Sequence, residues 1–321
     1  MILFNFQNKQ ELTSGIILNK LYLLFKNNYL KPFVLFIVLQ ITAVITVFAQ
    51  QPVKRNNVYQ KVDTVNLNLV DFAKKITGNE TDDFEKAKKI LFWLSSNLEW
   101  KPTDYVSRTI NQIFARNGGN CFELAKVYMA VIKAAGISYR GTAEIMIYPS
   151  EASRFANAAE KIRQNGFKSS VFGLQHNDHR WVEIYNPKTN DWEPADPTMA
   201  VIGTDDWLRA RMSFGERITI DTANSNEMIN SVALFVTDNK YEPTESRTKH
   251  YLIDRFDIFY KGRLSELATW KDWVEAVNAL TEPCKNAFMG KENLHLYQDK
   301  RANVARAYQQ LKQSYLEKYR N

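Results

Sequence analysis

Residues Gly118 to Arg140 read GGNCFELAKVYMAVIKAAGISYR, and their reading decides how the rest of the chain is understood. From Phe122 to Ala135 the only charged residues are Glu123, Lys126 and Lys133. A helix apolar around most of its circumference lies inside a domain rather than on its surface. Cys121 falls in the first turn of that helix, where exposed N–H groups and the helix dipole stabilise an anion and lower a thiol pKa. Gly118 and Gly119 ahead of it let backbone and substrate approach closely.

Downstream stand His179, in HRWVEIY, and Asp196, in WEPADPT. Cysteine, histidine and aspartate in that order are the parts of a thiolate nucleophile, its base and the orienter of the base. His179 to Tyr185 alternates with period two, placing His179, Trp181 and Glu183 on one face of a strand and Val182 and Ile184 on the other. Pro187, Lys188, Thr189 and Asn190 supply a turn, and Trp192 to Asp196 is the returning strand. Pairing His179 directly with Asp196 centres that turn between Pro187 and Lys188. Directly paired residues share a face with Cβ atoms roughly 5 Å apart, so imidazole and carboxylate could meet.

Helical patterns precede the cysteine segment. Asn68 opens the run NLVDFAKKIT, which stops at Gly78, and Asp82 with Glu85 has the form of a capping box. Phe84, Ala87, Leu91, Leu94 and Leu98 then follow at helical spacing. After the cysteine helix the stretch Ile137 to Tyr148 reads as a strand, and Ser150 to Phe167 as a helical insertion or lid. Beyond Ile202 the pattern predicts a short helix over Thr204–Ser213, a strand over Ser231–Thr237 and a helix over Ser265–Leu280. A terminal helix carries Val304, Tyr308, Leu311, Tyr315 and Tyr319 on one stripe, read as core packing.

The N-terminal segment has a targeting pattern. Lys9, Lys20, Lys26 and Lys31 precede the apolar run Phe33 to Ala49, and Val47-Phe48-Ala49 puts small residues where signal peptidase cuts. The expectation is a cleaved signal over 1–49, the alternative an uncleaved anchor at 33–49. Either places the remaining chain outside the cytoplasm, in the periplasm, at the cell surface or secreted. Residues 50–64 read as a linker, 65–203 as the core domain, and 204–321 as a helix-rich C-terminal region of unassigned role.

The formal charge of +7 and pI near 9.1 are mild, and basic residues are interleaved with acids, so no nucleic-acid surface is implied. Of the two cysteines, Cys121 is expected free and Cys284 structural. His176, Asp178 and His179 lack a cysteine or carboxylate cluster that would complete a metal site, and no metal or cofactor is expected. Glu123 and Glu183 read as structural, and Arg140 as an ion-pair partner at the helix–strand junction.

With these residues in view, the chain resembles the transglutaminase-like superfamily. GGNCFELA is similar to its Gly-x-Cys-x-Glu-x-Ala turn, and AAGISYR to its Gly-Ile-x-x-Arg junction. HRWVEIY resembles its histidine strand, and WEPADPT its aspartate strand. The resemblance spans roughly Asn66 to Thr198 and implies an α+β, papain-like core with helices packed on an antiparallel sheet. It implies Cys121 as nucleophile, His179 as general base and acid, and Asp196 as orienter. The backbone N–H of Cys121 would be one oxyanion donor, with Trp100 or Gln112 adding a side-chain donor and Trp181 walling the substrate groove. The function expected is acyl transfer on peptide or isopeptide amides through a thioester, by hydrolysis rather than crosslinking. The alternative is a catalytically silent binding module of the cell envelope or surface.

Overall fold

Two capped helices lead into the core. The side chain of Asn68 accepts from the amides of Val70 and Asp71 to start α1 (Leu69–Thr77), and Gly78 ends it with a positive φ. Asp82 accepts from Phe84 and Glu85 to start α2 (Asp83–Asn97). Each such cap is worth about 1 kcal/mol. The protein is described from a computed structural model covering residues 62–64, 67–146, 160, 163–164, 178–215, 231–240, 242–289 and 291–319. The expected signal segment and most of the expected Ser150–Asn177 insertion, His176 included, lie outside the described residues. Among the described residues no helix is long and apolar enough to cross a membrane.

After α2 come β1 (Glu99–Trp100), α3 (Ile110–Ala115), β2 (Gly118–Gly119) and α4 (Cys121–Ala134), the cysteine-bearing helix. The strands β3 (Tyr139–Met146), β4 (Asp178–Asn186), β5 (Asp191–Asp196) and β6 (Val201–Ile202) are followed by α5 (Thr204–Arg211). Then come β7 (Ser231–Thr237), β8 (Pro243–Ser246), a π-helical segment (His250–Arg255) and α6 (Phe256–Phe259). Two long helices, α7 (Trp270–Phe288) and α8 (Gln298–Tyr319), complete the fold. β1 pairs with β2 in parallel, while the main sheet is antiparallel in the order β6-β5-β4-β3-β7-β8.

Period-two alternation sends neighbouring strand residues into two different cores. Val182, Ile184, Ala195 and Ile202 join the helices α1, α2 and α4 in one. Trp181, Ile145 and Val201 join α5, α7 and α8 in the other. β7 is buried along its whole length, as a strand covered on both faces must be. The expected boundary at residue 203 is therefore crossed by the sheet, because β7 and β8 extend it beyond β3. Residues 57–321 form one unit.

The predicted helix over Ser265–Leu280 is displaced to Trp270–Phe288. Asp257 holds the amides of Leu264 and Ser265, each at 3.0 Å, and keeps that stretch as a turn. The stripe of α8 packs as expected, with Val304, Tyr308, Leu311 and Tyr315 buried. Tyr308 satisfies its hydroxyl on the carbonyl of Met212 at 2.7 Å.

Candidate active site

Asn120 caps α4 in a reciprocal arrangement. Its Oδ1 accepts the Glu123 amide at 3.0 Å, and the Glu123 carboxylate accepts the Asn120 amide at 3.1 Å. This capping box fixes the first turn, where Cys121 sits with 9 % of its surface exposed. Glu123 also accepts from Arg108 at 2.9 Å and Arg116 at 3.3 Å, tying the preceding loop to the helix. Its role is structural, as the sequence suggests. The glycines are required by contact. A Cβ on Gly118 would lie 2.0 Å from the Glu99 carbonyl oxygen, and one on Gly119 only 2.5 Å from the Cβ of Glu123.

His179, 8 % exposed, lies one residue inside β4. Its Nε2 donates to Oδ2 of the fully buried Asp196 at 2.6 Å. The Cys121 thiol lies close enough to help raise the pKa of the same imidazole, and with Nε2 committed to Asp196, Nδ1 is the nitrogen left for sulfur. Burial alone would depress the His179 pKa, but the charge and hydrogen bond of Asp196, with Cys121, outweigh it and hold the imidazole well above its ordinary value. The other oxygen of Asp196 accepts from the amides of Thr198 at 2.9 Å and Met199 at 3.2 Å. The Pro197 carbonyl accepts from Ser95 of α2 at 2.7 Å. That is the physical content of the Asp-Pro-Thr sequence: a turn that locks the carboxylate in place.

The hairpin register differs from the expected one. Val182 pairs with Ala195 and Asn186 with Asp191, so the turn centres between Lys188 and Thr189. Asn186 accepts the Lys188 amide at 3.0 Å, and Asn190 adopts a left-handed φ of 54° that asparagine tolerates. His179 and Asp196 are thus diagonal rather than direct neighbours, and their side-chain lengths close the gap.

The other expected residues are spread around this centre. Trp100 pairs with Gly119, two residues before the thiol, and is 56 % exposed. Gln112 is exposed and its carbonyl oxygen accepts the Thr109 amide at 2.8 Å, closing the cap of α3. Trp181 is fully buried; its indole donates to Glu144 at 3.0 Å and its ring packs on Trp207 and Tyr251. Arg140 pairs with Glu183 at 2.6 Å, as its position predicts. Cys284 is free and fully buried in α7, and burial pushes its thiol up to about 12. The sequence reading passed over Asn120, whose Nδ2 is buried without a hydrogen-bond partner beside Cys121. Its position immediately before the cysteine, at an N-cap, was the available signal.

A cysteine at the head of a buried helix, meeting a histidine and an aspartate from an antiparallel sheet, defines a protein with a papain-like core. Residues 70–197 match the transglutaminase-like superfamily. Among solved structures, a proposed cysteine protease from Cytophaga hutchinsonii is 18% identical, over 45% of this chain and 49% of that one, with a TM-score of 0.29. A proposed protease from Parabacteroides distasonis is 16% identical over 40% of this chain and 26% of that one (TM-score 0.28). Legionella pneumophila LapG is 14% identical over 61% of this chain and 84% of that one (TM-score 0.28). The chain thus spans about half of the Cytophaga protein and about a quarter of the Parabacteroides protein. The comparison with curated proteins gave no match.

Proposed function

We propose that the protein is a cysteine acyl-transfer enzyme acting on peptide or isopeptide amides, resolving its thioester with water. One observation carries this reading: His179, its Nε2 fixed on buried Asp196, stands close enough to Cys121 for the thiol to act on its imidazole. Proton transfer from sulfur to Nδ1 gives a thiolate–imidazolium pair, favoured by Asp196 on one side and the N-terminus of α4 on the other. The thiolate attacks the amide carbonyl carbon. The resulting oxyanion is received by the backbone N–H of Cys121 and a side-chain donor, for which Asn120 Nδ2 and the Trp100 indole are the candidates, with Gln112, whose carbonyl oxygen closes the cap of α3, the third. Nδ1–H then protonates the departing amine, leaving the thioester. Water deprotonated by the same nitrogen attacks that thioester and frees the acid and the thiol. Trp181 is proposed to back the groove from beneath. Export through the segment 1–49 completes the proposal.

The test is the pH dependence of Cys121 alkylation by iodoacetamide in a Cys284→Ser background. Fast labelling well below the ordinary thiol pKa of about 8.5, slowed by His179→Ala, is the expected result. An ordinary thiol profile, unchanged by His179→Ala, would overturn the reading and leave a silent binding module.

A further inference from the structure

The ladder between β4 and β5 ends at the pair Val182 and Ala195, so Asp196 stands just beyond it. Asp196 instead pairs with Val201 of β6, and Pro197, Thr198, Met199 and Ala200 make the turn between them. The aim of the carboxylate is therefore set by that turn. Ala200 holds a left-handed φ of 56°, a conformation that a residue with a Cβ ordinarily avoids. Such backbone persists only where its surroundings over-determine it.

The turn is held from within and from both faces of the sheet. From within, Oδ1 of Asp196 accepts the amides of Thr198 and Met199. On the face covered by α5, α7 and α8, Met199 is buried in the core and its sulfur accepts from Arg211 at 3.6 Å. On the opposite face Ser95 of α2 donates its hydroxyl to the Pro197 carbonyl at 2.7 Å. A serine inside a helix commonly turns its hydroxyl back onto a carbonyl of its own helix. Ser95, only 7 % exposed, gives its single proton to a carbonyl 102 residues away. Its neighbours Ile90, Leu91 and Leu94 are apolar and buried, so packing alone has no use for a hydroxyl there.

We propose that Ser95 is a positioning residue of the reaction, its bond to the Pro197 carbonyl aiming Oδ2 of Asp196 at the imidazole. Its kinetic consequence rests on the acyl-transfer reading of Cys121. Without the hydroxyl, the Pro197 carbonyl is left buried and unpaired, and the turn must tilt to satisfy it. The 2.6 Å contact between Oδ2 and Nε2 then loosens, the imidazolium loses support, and the thiolate forms only at higher pH.

The experiment compares Ser95→Ala with Tyr128→Phe. Tyr128 is buried on α4 and gives its hydroxyl to the Ala87 carbonyl of α2 at 3.0 Å, so its loss weakens the same helix layer without touching the turn. Both variants should unfold at lower urea concentration. Only Ser95→Ala should shift the acid limb of the Cys121 alkylation profile upward, slowing labelling there by about three- to tenfold in a Cys284→Ser background. Only Ser95→Ala should also broaden the low-field proton resonance of His179 Nε2–H. Ser95→Thr, which keeps the hydroxyl, should return both towards the wild type. A profile and a proton resonance in Ser95→Ala that match those of Tyr128→Phe would overturn the positioning role while leaving the acyl-transfer reading intact. An ordinary thiol profile in the wild type would sink that reading instead. The proton resonance, recorded with and without Ser95→Ala on Cys121→Ala, then decides whether Ser95 aims Asp196.

Discussion

Asp196 divides its carboxylate between two tasks, holding its own turn with Oδ1 and the imidazole with Oδ2. Asp196→Asn keeps the first oxygen but presents a donor to Nε2–H, so the ring must turn or change tautomer. Hydrolysis is expected to fall by at least about 10²-fold, and the alkaline limit of the alkylation profile to move towards acid as the imidazolium loses its counter-charge. The raised pKa of His179 also has a stability consequence. A group whose folded pKa lies above its unfolded value of about 6.5 stabilises the fold fully below that value. The contribution is then lost as pH rises through the folded pKa. The Tm of the wild type minus that of His179→Gln should therefore shrink as pH climbs above about 6.5, and a difference growing with pH would contradict the elevated imidazole. Asn120 offers a cleaner separation of structure from chemistry. Asn120→Ser keeps an oxygen for the Glu123 amide and removes Nδ2. Alkylation, which builds no oxyanion, should be unchanged while acyl transfer drops about 10²- to 10³-fold. The same pattern in Trp100→Phe instead would assign the donor to Trp100.

The short parallel pair of β1 and β2 is what sets the head of α4 against the rest of the molecule. Its geometry leaves no room at Gly119, where an added Cβ would lie 2.7 Å from Oε2 of Glu123. Gly119→Ala should push that carboxylate off the capping box, lowering stability by about 1–3 kcal/mol and slowing thiol alkylation. Chemical unfolding and alkylation measured together check both halves. Helices of this kind were legible because their signals are local: Asn68, Gly78 and Asp82 at the ends, and apolar spacing between. The cysteine helix, the histidine strand and the aspartate strand were legible for the same reason. The hairpin register was not, because it depends on Asn186 and Asn190 holding a turn of Pro187 to Asn190, one position beyond the centre chosen from composition. Nor could the sequence show that the Gln112 carbonyl closes a cap, since a capping box and an oxyanion donor draw on the same residue types.

Residues 204–321 supply more than cover for the sheet. Two carboxylates of the first half, Glu144 on β3 and Glu183 on β4, are fully buried. Glu183 accepts from Arg247 at 2.9 Å and Tyr251 at 2.5 Å, besides Arg140. Glu144 is held by Arg211 of α5 and Ser231 of β7, together with Trp181. Such pairings are invisible in a sequence because nothing local links residue 144 to residue 211. Glu144 follows Ala143 and lies opposite His179 in the β3–β4 ladder, so an unbalanced charge there falls beside the candidate base. Arg211→Met would leave Glu144 without its cation inside the core, which typically costs about 3–5 kcal/mol. The urea midpoint should drop accordingly, and alkylation of Cys121 should slow at temperatures where the wild type is unaffected. Adding Glu144→Gln removes the stranded charge while retaining an acceptor for Trp181 and Ser231, so the double variant should regain much of the loss. A chain ending at residue 203 lacks β7, β8 and both arginines, and should stay unfolded by circular dichroism. If Arg211→Met instead cost under about 1 kcal/mol and the shortened chain folded with a reactive Cys121, residues 204–321 would be an appendage. The present packing, with one sheet drawn from both halves, argues that the thiol–imidazole pair cannot be assembled without them.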